Sequence, residues 1–161
     1  MKTYNDFERV IRDYPWVENG LVVTYVRDAD PTTVIAAMTD EFLGKAIGLS
    51  GVNERGWEEL SIVGAAQLGA WTVAVAPMSL VGVSEELMLP LSVGREVVTQ
   101  ARVVEAVSSF NVWKNGECVV YFDPLLRCGF GLDPKAEGPL PDGRFHVLEA
   151  SFAMAANYAG A

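Results

Sequence analysis

The sequence predicts an α+β protein, a single domain spanning 1–161, with a mainly antiparallel sheet of five to six strands covered by two to three helices. Three observations predict it. Ala106–Asp123 reads as a β-hairpin around Asn115-Gly116, because a type I′ turn needs positive φ at both central positions. Leu21–Arg27, Gly69–Ala76 and Glu96–Glu105 are β-branched or alternating runs bounded by turn residues. Helical stripes stand near both ends of a chain that is half hydrophobic and one-fifth charged, enough for one core over 161 residues.

The elements follow in order. Tyr4, Phe7, Val10, Ile11 and Tyr14 recur at helical spacing, and Pro15 ends that helix. Trp16 then packs on the core edge. After Asn19-Gly20 comes the strand Leu21–Arg27. Asp30 as cap and Pro31 at the first position open a helix through Met38. Gly44–Arg55 reads as loop, and Trp57–Leu60 fits no element. Ser61–Gln67 and Gly69–Ala76 are strands; the second sets a large face (Trp71, Val73, Val75) against a small one (Ala70, Thr72, Ala74) that lets a helix come close. Ser84–Leu91 is a short helix capped by Ser84.

Turning at Asn115-Gly116, the hairpin sets Lys114 opposite Glu117, Trp113 opposite Cys118, Val112 opposite Val119, Asn111 opposite Val120 and Phe110 opposite Tyr121. Both faces are then largely apolar, which predicts a central pair covered on each side, with Cys118 a small buried hydrophobe. The remaining strands are expected as a mostly sequential meander around it. Pro124–Arg144 is rich in glycine and proline, and a segment of that length is expected to be functional or mobile. Leu148, Phe152, Ala155 and Ala156 form the stripe of a C-terminal helix over Phe145–Tyr158. That helix and the one after Pro31 are expected on the same sheet face.

The net charge of −9 argues against phosphate backbones and anionic membranes, which need Lys and Arg. No nucleic acid or membrane partner is expected. No apolar run approaches the roughly 20 residues of a spanning helix, and the first residues do not resemble a secretion signal. Two cysteines make no disulfide framework, so a cytoplasmic protein is expected.

Catalytic chemistry finds little footing. Any triad must use the one histidine, His146, which reads as structural beside Phe145 and Val147. That histidine and the distant Cys118 and Cys128 do not make a zinc site, and no metal or cofactor is expected. Glu58-Glu59 and Glu85-Glu86 read as solvated faces. Gly129-Phe130-Gly131 lacks the third glycine and the helix of a phosphate loop. Four tryptophans are many for this length. Trp71 and Trp113 alternate as core residues, whereas Trp16 and Trp57 are candidates for an interface.

GLVVTYVRDADPTTVIAAM, GAWTVAVAPMSLVG and GREVVTQARVVEAVSSFNVWKNGECVVYFDPL, with GFGLDP behind it, resemble a family of small uncharacterised proteins of actinobacteria and their phages, over Gly20–Tyr158. Where that family has an acidic residue and Asn around the proline after the tryptophan strand, this chain has Ala76-Pro77-Met78. The resemblance implies the fold and a bacterial or phage setting, but no reaction, cofactor or ligand.

The expected function is a non-enzymatic protein-binding module of the inhibitor, immunity or phage-host type, with Trp16, Trp57, Arg127, Phe130 and Asp133 as candidate binding residues. The alternative is a small-ligand-binding domain, with its pocket between the Trp71 strand, the hairpin and Pro124–Arg144. A hydrolase using Asp123, Asp133 or His146 comes third. The oligomeric state is not legible.

Overall fold

The computed structural model describes residues 1–56, 61–103, 108–124 and 146–160. Six antiparallel strands form one sheet: β1 (Leu21–Arg27), β2 (Gly64–Leu68), β3 (Trp71–Pro77), β4 (Glu96–Arg102), β5 (Ser108–Lys114) and β6 (Glu117–Phe122). Their order is β2-β3-β1-β4-β5-β6. With them come α1 (Tyr4–Asp13), α2 (Pro31–Met38), α3 (Gly48–Gly56), α4 (Glu85–Leu91) and α5 (Val147–Ala159). The α+β class therefore holds.

Four expectations need correction. The first is that the hairpin is not the centre: β1 and β4 are, and β6 is an edge strand. β1 enters between β3 and β4, so the order is not a simple meander. The apolar residues of β1 (Leu21, Val22, Val23, Tyr25, Val26) fill both faces, as a central strand requires. Second, the hairpin register slips by one residue. Trp113 does face Cys118, but Val112 faces Val120 and Phe110 faces Phe122, leaving Val119 as a bulge. The slip turns Val120 and Phe122 toward the core with Phe110 and Val112. It leaves Tyr121 70% exposed, and Cys118 is exposed rather than buried.

Third, the helix after Pro31 and the C-terminal helix cover opposite faces. On one face, α1, α5 and a 3-10 turn (Pro15–Asn19) pack on Leu21, Val23, Tyr25, Val98, Phe110 and Val112. On the other, α2, α4 and a second 3-10 turn (Val81–Val83) pack on Val22, Val26, Ala74, Ala76, Val97 and Trp113. The small residues of β3 do admit a helix on that side. Fourth, the glycine-rich stretch read as loop contains α3, whose Val52 is buried against β2.

Two local devices carry predictions. At the start of α2, the Asp30 carboxylate accepts from Thr33 N–H at 3.0 Å and Thr33 Oγ1 at 2.7 Å. These bonds hold its pKa below the usual carboxylate value. Because the folded pKa is the lower one, the stabilisation is present above the unfolded value and is lost as pH falls through the folded value. The acid limb of a melting-temperature profile should therefore be shallower in Asp30→Ala than in the wild type. Asn157 on α5 grips the chain start through both its amide atoms, accepting from Lys2 N–H at 2.6 Å and donating to Lys2 O at 2.8 Å. No residue of α1 is fully buried. Asn157→Ala should therefore accelerate amide exchange across α1 and leave β1 and β4 protected, at a cost of about 1 kcal/mol.

Candidate functional site

A cleft of about 830 Å³ opens at the β2 edge of the sheet, between α2, α3 and the segment 39–47 that joins them. Three features build it. α2 starts at its Asp30-Pro31 cap and closes with Thr39 N–H and Oγ1 both donating to Ile35 O at 2.9 Å. That orientation buries Val34 and Met38 on the sheet and leaves Ile35 partly open along the cleft. β2 is poor in side-chain bulk, and a Cβ on Gly64 would overlap Val52 of α3, so α3 seats closely only because residue 64 is glycine. Arg55 at the end of α3 donates to Leu43 O and Lys45 O, fixing an otherwise irregular segment.

The inner wall is apolar: Ile35, Met38, Val52, Ile62, Val73 and Val75. The lip is different, since residues 40–48 are all exposed. Phe42 is 66% exposed and Ile47 92%, with Leu43 between them also exposed. Apolar side chains held in water on an ordered segment mark a contact surface better than scattered ones do. Asp40, Glu41 and Lys45 add charge to this lip, and none of the three makes a side-chain ion pair or hydrogen bond among the described residues. Among the described residues the lining contains no histidine, cysteine or tyrosine.

Of the candidate binding residues singled out from sequence, the structure describes Trp16, which does not line the cleft. Trp16 is half-buried in its 3-10 turn, edge-on to Tyr14 at 6.4 Å between ring centres, and packs on the core. Trp57, Arg127, Phe130 and Asp133 lie outside the described residues, as does most of the Pro124–Arg144 segment expected to wall a ligand pocket. Trp71 and Trp113 are core residues, as their alternation predicted. His146 is buried at the α1–α5 junction, stacked on Tyr4 at 4.8 Å. Its Nδ1 stands 3.1 Å from Glu149 Oε1 and its Nε2 3.8 Å from Glu8 Oε1. This places it as a link between two helices. Among the described residues no three His, Cys, Asp or Glu side chains cluster to hold a metal, and no helix is long and apolar enough to cross a membrane.

Sequence reasoning missed Phe42, Leu43 and Ile47. Their signal was present, because apolar residues inside a stretch read as loop need a reason to be there.

A six-stranded antiparallel sheet with helices on both faces defines a single-domain α+β protein, with an apolar cleft at one edge of the sheet. The chain belongs to DUF6461, a family of unknown function, whose profile matches residues 1–150. No curated protein and no solved structure matches it.

Proposed function

We propose that the chain is a non-enzymatic protein-binding module whose partner docks on the cleft and lip at the β2 edge. The observation that carries this reading is the exposure of Phe42, Leu43 and Ile47 on a segment stapled in place by Arg55. A cleft of this volume also suits a small ligand. The protein reading is preferred because Phe42, Leu43 and Ile47 stand out in water beyond the apolar inner wall, where a macromolecular surface can cover them. The acidic balance supports a protein partner over nucleic acid. The free, exposed thiol of Cys118 supports a reducing compartment such as the cytoplasm. The likeness of GLVVTYVRDADPTTVIAAM and GAWTVAVAPMSLVG to actinobacterial and phage proteins supports a bacterial or phage setting.

Affinity capture from host lysate tests the reading with three baits: the wild type, Phe42→Ser/Ile47→Ser and Trp16→Ala. Both serine substitutions are at exposed positions and should change stability by no more than about 0.5 kcal/mol. The expected result is a partner recovered by the wild type and Trp16→Ala and depleted about tenfold by the double variant, a loss of about 1.4 kcal/mol in binding. Equal recovery by the double variant would overturn the assignment to this face.

A further inference from the structure

The two edges of the sheet are built differently. β6 carries the bulge at Val119 and begins with Glu117. Bulges and charges are devices that blunt an edge against another strand. β2 has neither. Its five residues, Gly64–Leu68, contain no charge and no proline, and they pair with β3 in unbroken register. Antiparallel pairing to β3 uses only half of the main-chain donors and acceptors of β2. Among the described residues no strand takes up the outer half. Gly64 and Ala65 are half-buried and Ala66 is exposed, their side chains are small, and the apolar cleft runs beside them.

We propose that β2 accepts an extended, cationic segment of a partner protein as a further strand, with alternate apolar side chains of that segment entering the cleft. This deepens the protein-binding reading and rests on it. An extended backbone is the chemistry that satisfies an open strand edge, and side-chain pockets at alternate positions supply selectivity. The sign of the partner's charge follows from the whole chain, and the lip offers two carboxylates to meet it. On the lip, Asp40 and Glu41 are exposed and make no ion pair among the described residues, so each offers a carboxylate to a cation of the partner, while the Arg55 guanidinium is held against the main-chain carbonyls of Leu43 and Lys45. The net charge of −9 adds a longer-range attraction for cations. The same charge disfavours a second copy of this chain, which would bring −9 against −9.

Fluorescence anisotropy tests this with a labelled peptide of alternating lysine and valine as probe. One control has the amides on one edge N-methylated, which keeps side chains and charge but removes main-chain donors. A second replaces lysine by glutamate. The lysine–valine peptide should bind saturably, and each control should bind at least about tenfold more weakly. In the Asp40→Lys/Glu41→Lys protein, whose exposed substitutions leave the fold intact, the preference for lysine over glutamate should shrink or reverse. Equal binding of the N-methylated peptide would overturn strand addition. Equal binding of the glutamate peptide would overturn the cationic partner, and no binding of any peptide would overturn both. A partner captured through Phe42 and Ile47 would still uphold the protein-binding reading in each of those cases, so the two can fail separately.

Discussion

Trp113→Ala should lower the unfolding free energy by about 4 kcal/mol, the largest loss expected from any single substitution discussed. The side chain is 1% exposed, on the sheet face that packs against α2 and α4, among Met88, Leu91 and Val97. It stands on β5 opposite Val97 of β4 and Cys118 of β6, so a cavity there loosens two strand pairs together. For a chain of this length, about 4 kcal/mol is a drop of roughly 10 °C in melting temperature. Its indole N–H is buried with no hydrogen-bond partner among the described residues. Trp113→Phe removes that unsatisfied donor along with part of the ring, so it should cost less than half as much as alanine. Urea unfolding measures both through the midpoint, at unchanged slope. A loss below about 1 kcal/mol for Trp113→Ala would show that the site collapses around the smaller residue.

Gly82→Ala should cost about 2–3 kcal/mol by overpacking. Gly82 is buried in the 3-10 turn pressed on the centre of the sheet. A Cβ there would lie 2.5 Å from Thr24 Oγ1, 2.5 Å from Val22 Cγ1 and 3.2 Å from Thr99 Cγ2. Those atoms belong to β1 and β4, the two central strands, and Thr24 and Thr99 are fully buried with their hydroxyls 3.4 Å apart. Neither strand can retreat without disturbing its other neighbour. Gly51→Ala is the control. It lies within α3, where a Cβ would meet Ala46 at ordinary contact distance, 3.4 Å. Alanine there should be neutral or stabilise by about 0.5 kcal/mol, because it removes backbone freedom from the unfolded chain. The opposite signs at two glycines separate steric crowding from the general effect of glycine.

Local signals explain what was legible beforehand. Asp30-Pro31 starts a helix wherever it stands, and Asn115-Gly116 turns a hairpin, with positive φ at both residues. The alternation of β3 identified its wide and narrow faces. The failures are non-local. Val119 bulges from a register that turn chemistry alone sets correctly only as far as Trp113–Cys118. Central position in the sheet depends on which strands neighbour β1, and the valine content of β1 and of the hairpin look alike in one dimension. α3 was hidden because Gly48, Gly51 and Gly56 are poor helix formers, and its formation is explained by the burial of Val52 against Gly64 and by Arg55, contacts made far away in sequence. The candidate site shared that fate: its lip lies in the same misread stretch, while the tryptophans that drew attention are core or core-edge residues wherever the structure describes them.

Hydrogen exchange on the protein bound to a captured partner tests the central claim most directly. Binding at the β2 edge predicts slowed exchange of amides in Gly64–Leu68 and across 39–47, with β6 and the Trp16 turn unchanged. New protection confined to Glu117–Phe122, or to the residues around Trp16, would contradict it and move the binding face to the other side of the molecule.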